Sequence, residues 1–146
     1  MRLVKLSLIL ATGLMAAPAL GGGLSKEEAL HEFSFECARC AAYFDLTSKC
    51  FVSSGQLQGD DKASIEKTRN FFYQLQYAAG KAAGMSDKAI EAHFAMVLDS
   101  INNDIDKNCF NISVIIKRYA KFCKALAENP DQLLDQLMTK GPPTLE

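Results

Sequence analysis

Five cysteines carry most of the chemistry this chain could do: Cys37, Cys40, Cys50, Cys109 and Cys123. Cys37-Ala38-Arg39-Cys40 is a Cys-x-x-Cys pair. Such a pair exchanges thiols for disulfides when its first thiol ionises readily, which a helix N-terminus or a neighbouring cation brings about. It is also half of a zinc site, but no second ligand pair stands at zinc-site spacing. Ala41 follows the pair where a c-type haem attachment needs His. His31 and His93 could act with Met85, Met96 or Met138 as axial haem ligands inside a bundle. Isolated histidines on helix surfaces are ordinarily just that, so no cofactor and no metal is expected.

Other reactive constellations are missing. Glu27/Glu28, Asp60/Asp61 and Asp104/Asp106 are acidic pairs near helix ends, and those near N-termini suit the helix dipole. Nothing sets two carboxylates around a substrate, and no Gly-x-Ser-x-Gly nucleophile motif occurs. No residue is singled out as catalytic, and the expectation leans away from an enzyme. Asn111-Ile112-Ser113 is a glycosylation sequon, with helix capping as the simpler role for Asn111. Lys117, Arg118, Lys121 and Lys124 make a basic face that is either solvated or able to dock an acidic partner.

The elements that must position these residues read as helical throughout. Ser25 with Glu28 forms a capping box, opening a first helix to about Val52. Leu30, Phe33, Cys37, Cys40, Ala41, Phe44 and Phe51 fall on one stripe of it at 3.6-residue spacing. Asp60 or Asp61 caps a second helix, with Ile65, Phe72, Leu75 and Ala79 inward. It ends at about Ala83, with Gly84 as its terminating glycine. Gly80 and Gly84, four apart, read as a close helix crossing plus this cap. Ser86 caps a third helix to about Ile105, facing inward with Ile90, Phe94, Val97 and Ile101. Asp106 to Phe110 is a turn. Asn111 caps a fourth helix to about Ala127, with Ile115, Tyr119, Phe122, Cys123 and Leu126 inward. Asn129-Pro130-Asp131 breaks it, and a short helix spans Leu133 to Met138. Long helices with short loops favour an antiparallel neighbour arrangement. The expected fold is all-α, an up-down four-helix bundle with a short C-terminal helix. It forms one domain over 25–139, between a flexible lead at 20–24 and a disordered tail at 140–146.

The N-terminus predicts export. Arg2 and Lys5 precede an apolar run from Leu6 to Ala16, and Ala17-Pro18-Ala19 is a small-x-small cleavage site. The run is shorter than the roughly 20 residues that span a bilayer, and no later segment reaches that length. Residues 1–19 then read as a signal peptide, and the mature chain as periplasmic or secreted, without a transmembrane segment. Their removal takes away two basic residues and no acid, leaving 14 basic against 17 acidic residues. That balance argues against nucleic acid and against anionic membrane surfaces as partners.

In an exported chain, spaced cysteines default to disulfides. Up-down topology puts Cys50 and Cys109 at the same end of the bundle, so they are expected to pair. Cys123 lies 14 positions down the fourth helix from Cys109. Cys40 and Cys37 lie 10 and 13 positions below Cys50. Height favours Cys37 as the partner of Cys123 and direction around the helix favours Cys40. The expectation is Cys40–Cys123, with Cys37 as the alternate. The thiol left over, Cys37 in that case, is either buried and inert or free for exchange.

Two resemblances bear on this. Glu32 to Cys40 resembles the active-site strand and turn of thioredoxin-fold oxidoreductases, which implies an attacking thiolate at Cys37. The rest of the chain departs from that family, having no βαβ pattern and no proline placed to face the pair. Cys40-Ala41-Ala42-Tyr43-Phe44, with Cys50 ten residues on, resembles small exported helical proteins of bacteria with no assigned function. That resemblance implies a helical fold with disulfides from Cys40 and Cys50 to the later cysteines. The functional expectation is a non-catalytic binding or interaction module for an unknown protein or small apolar ligand. Its alternatives are a thiol–disulfide oxidoreductase using Cys37 and Cys40, and a saposin-like binder of amphiphiles.

Overall fold

The computed structural model describes residues 22–142. The expected signal peptide lies outside them. The described residues form α1 (Lys26–Ser53), α2 (Gly59–Ala82), α3 (Asp87–Asp104), a 3-10 turn (Cys109–Asn111), α4 (Ser113–Glu128) and α5 (Pro130–Lys140), with no strand among them. The fold is an all-helical bundle. Among the described residues no helix is long and apolar enough to cross a membrane.

Helix α1 is the axis of the bundle. Each of the other four helices packs against it, and α2 meets α3, α3 meets α4, and α4 meets α5 around it. Burial is therefore not confined to the expected stripe. Ser34, Glu36, Thr47 and Ser48 are buried, whereas Leu30, Phe44 and Phe51 are only half-buried. A helix ringed by four others has no single inward face, so a stripe reading misses part of its core. Small residues make the close packing possible: Ala29, Ala38, Ala41 and Ala42 are fully buried.

The helix starts follow local chemistry where a side chain can reach the free backbone N–H groups. Ser25 Oγ accepts from the Glu28 N–H at 3.3 Å, and Glu28 Oε2 accepts from the Ser25 N–H at 2.9 Å. Ser86 Oγ accepts from the Ala89 N–H at 3.2 Å. Two expected caps are corrected. Helix α2 starts after Gln58 without any side-chain cap, and Asp60 and Asp61 fall inside its first turn. Gly59, at φ +57°, swings the chain into the helix before either aspartate can cap it. Asn111 does not cap α4. It ends the 3-10 turn, and its side chain donates back to the Ile105 carbonyl at 3.2 Å. The last helix is also longer than expected, because Pro130 is its first residue, a position where the missing N–H costs nothing.

The antiparallel course is fixed by a polar thread at one end. Ser34 Oγ on α1 donates to the Gln76 carbonyl on α2 at 2.9 Å, and Gln76 Nε2 donates to the Ile90 carbonyl on α3 at 3.1 Å. Gly80 sits in the same crossing: a methyl group there would meet Ile90 Cγ1 at 2.8 Å and Ser34 Oγ at 3.2 Å. Gly84, at φ +79°, closes α2 with a pair of bonds, its own N–H to Lys81 O at 3.0 Å and the Met85 N–H to Gly80 O at 2.9 Å.

Candidate functional site

The structure joins Cys40 to Cys123 and Cys50 to Cys109, with Cα separations of 5.4 and 5.2 Å. The first ties the middle of α1 to α4. The second ties the end of α1 to the turn between α3 and α4. Cys37 is the free cysteine and is fully buried. Burial pushes its thiol well above the usual range, and the neighbouring Glu36 carboxylate pushes the same way. The Cys-x-x-Cys pair thus lies in the interior of a long helix, with its second sulfur bonded elsewhere and its first far from ionising. No free helix N–H groups face Cys37, because α1 begins eleven residues earlier.

Around Cys37, α1 carries a charged group that spacing alone does not flag as buried. Glu36 is 1% exposed. Its Oε1 accepts from Arg39 Nη1 at 2.6 Å, and its Oε2 has no partner among the described residues. Desolvation raises the Glu36 carboxyl to about 7, against the pull of Arg39. The Arg39 guanidinium in turn lies 4.6 Å from the Phe35 ring centre. The His93 ring packs at a tilt against Phe35, the ring centres 4.2 Å apart. Among the described residues neither His93 nitrogen has a hydrogen-bond partner. Burial lowers its pKa, with His31 and Arg39 adding to the effect. Among the described residues no three His, Cys, Asp or Glu side chains converge as a metal site would need.

The surface is more informative than the interior. Phe110 is 94% exposed. It stands on the 3-10 turn at the end of the bundle where Cys50 and Cys109 are joined. That turn is held from several directions. Asp106 and Lys107 adopt left-handed backbone angles of φ +53° and +55°, uncommon for residues with a side chain. Their N–H groups donate to Asn103 O and Asn102 O at 2.9 Å each. Asn108 Oδ1 accepts from the Phe110 N–H at 3.1 Å. The disulfide then anchors the turn to α1. Beside Phe110 a depression of about 440 Å³ is lined by Phe51, Gln56 and Ile112 together with the disulfide. Val52 and Val114 are exposed on this end as well.

Other features lie elsewhere. On α4, Lys117, Arg118, Lys121 and Lys124 are all exposed. Only Arg118 is paired, with Asp104, among the described residues. At the opposite pole, an open cleft of about 640 Å³ is lined by Leu24, Ala83 and Pro142 and by Glu27, Glu28, His31 and Glu32. An apolar groove of about 260 Å³ runs between α1, α2 and α5 past Leu30, Phe33, Leu75 and Leu134. Sequence reasoning placed Phe110 in a turn but drew nothing from it. The available signal was an aromatic residue among Asp, Lys and Asn, where burial is not to be had.

No family model matches this chain, and no curated protein and no solved structure shows significant similarity to it.

Proposed function

We propose that this chain is an exported, non-catalytic binding module, periplasmic or secreted, that docks a partner through the end of the bundle bearing Phe110. One observation carries the reading: a nearly naked aromatic side chain on a turn that a disulfide, two left-handed residues and two asparagines hold in place. Exposing Phe costs hydrophobic free energy in the isolated protein, and strained backbone persists where surrounding structure enforces it. Rigid aromatic anchors of this kind dominate binding at protein interfaces. Export is supported by the N-terminal pattern of charge, apolar run and small-x-small site, and by the two disulfides.

The exchange reading at Cys37 and Cys40 lacks comparable support, since Cys37 is buried and hard to ionise and Cys40 is bonded to Cys123. The amphiphile reading has the groove past Leu30 and Leu134, whose 260 Å³ falls below the usual range of small-molecule pockets.

A photoreactive phenylalanine analogue at position 110, placed in the chain as exported by its host, tests the docking reading. The expected result is one discrete adduct, absent when the analogue replaces Phe71, which is 37% exposed on α2. No adduct at position 110, or equal diffuse labelling from both positions, would contradict it.

A further inference from the structure

The two disulfides differ in what surrounds them. Cys40 and Cys123 are both fully buried in the core. Cys50 is buried at the end of α1, but its partner Cys109 is exposed on the 3-10 turn. Both line the depression of about 440 Å³ beside Phe110, so this bridge borders solvent. Thiol–disulfide exchange depends on such access, because a thiolate must reach the sulfur it attacks, and exposed bridges are the labile ones.

The fastening of the turn is equally uneven. No residue from Asp106 to Val114 is buried. Among the described residues, every hydrogen bond donated by residues 106–111 ends within residues 102–108. These bonds shape the turn but do not tie it to α1. The Cys50–Cys109 bond does. The bundle beneath is joined elsewhere, α1 to α4 by Cys40–Cys123 and α1 to α2 and α3 by the thread through Ser34, Gln76 and Ile90.

We propose that Cys50–Cys109 is an exchange site for an external dithiol, and that its opening frees the turn bearing Phe110 while the rest of the bundle holds. A thiolate of the dithiol attacks the exposed Cys109 sulfur. The bond to Cys50 breaks, and Cys50 leaves as a thiolate and takes up a proton. The second thiol of the dithiol, once deprotonated, displaces Cys109 from the mixed disulfide, and Cys109 is protonated in turn. Two electrons pass from the dithiol, oxidised to its own disulfide, to the bridge, reduced to two thiols. Cys37 takes no part, being buried. For docking, which rests on the reading above, the consequence is a weaker anchor, since a loosened turn must be ordered again at each encounter.

The test treats the folded, exported protein with dithiothreitol, quenches with acid at intervals, alkylates and maps the peptides. Cys50–Cys109 is expected to open at least about tenfold faster than Cys40–Cys123, because access limits the exchange rate. Equal rates, or Cys40–Cys123 opening first, would overturn the exchange site. Reduced thioredoxin is run in parallel: opening by both reagents supports the site and shows that the depression admits a protein dithiol, and opening by dithiothreitol alone supports it for small dithiols. Hydrogen exchange on the singly opened protein reads the turn. Amides of residues 106–112 should exchange faster than in the oxidised protein, with those of Gln76 to Gly80 unchanged. An unchanged turn, or loss of protection throughout, would overturn the control of the turn. The photoadduct at position 110 should form in the oxidised chain and be lost in the opened one. An adduct that persists undiminished also overturns that control. If the bridge opens and frees the turn as expected but no adduct forms in either state, the exchange site stands and the docking reading falls.

Discussion

A carboxyl group buried on the central helix resists ionisation, and Glu36 gives this chain a pH-dependent cost. Its folded pKa of about 7 lies above the ordinary 4.5, so between those values the folded state holds more protons than the unfolded one. Stability from this group is complete below 4.5 and is lost as pH rises through 7. The full loss amounts to about 3 kcal/mol. Glu36→Gln should therefore raise stability at pH 8 by about 1–3 kcal/mol and leave it unchanged near pH 4.5, measured as the difference in urea unfolding from wild type. No gain at pH 8 would mean that the Arg39 pair, rather than desolvation, dominates. His93 acts in the opposite sense. Its lowered pKa makes stability fall as pH drops through its ordinary 6.5, but this effect cancels in the comparison. Cys37 was legible as an interior residue because it sits on the apolar stripe. Glu36, one position before it, was not: a charged letter carries no sign of burial, and only the encirclement of α1 supplies it.

Among the elements, the legible features are those decided within a few residues. Ser25, Ser86 and Gly84 occupy the caps that their types and spacing imply, because each bond closes over three to five positions. Asp60 and Asn111 fail as caps because the chain enters those helices by routes set elsewhere, through Gly59 and through a turn bonded to α1. The crossing at Gly80 was legible as a small-residue approach. Its consequence is quantitative. In a free helix Gly→Ala stabilises by up to about 1 kcal/mol. Here the new methyl would press on Ile90 and on the Ser34 hydroxyl that bonds the Gln76 carbonyl. Gly80→Ala should destabilise by about 1–3 kcal/mol, the usual cost of overpacking, and thermal unfolding reads it directly. An increase in Tm would mean that α2 and α3 are not in close contact at this level.

At the scale of the whole molecule, two bridges determine which parts can move. Cys50–Cys109 closes 59 positions and Cys40–Cys123 closes 83. In the loop-entropy account the first alone contributes about 4 kcal/mol, and the second, enclosing it, adds less. Counting rise along antiparallel helices reaches Cys50–Cys109, which joins residues at one height, and brings Cys123 level with either Cys37 or Cys40. Counting could not separate Cys37 from Cys40. Height leaned to Cys37, and direction around the first helix to Cys40, which is the bonded residue. The exposure of Phe110 was legible only in part: its polar neighbours signalled it, whereas the disulfide and the left-handed pair that hold its turn depend on the assembled bundle. The same scaffold also keeps the Cys-x-x-Cys pair out of reach, with Cys37 buried and Cys40 bonded to Cys123. A non-reducing peptide map of protein exported by its host tests it, with thiols alkylated once before and once after unfolding. The expected map holds Cys40–Cys123 and Cys50–Cys109 peptides, with Cys37 alkylated only after unfolding. A Cys37–Cys40 bridge with Cys123 alkylated in the folded protein would contradict it and make thiol exchange the leading chemistry.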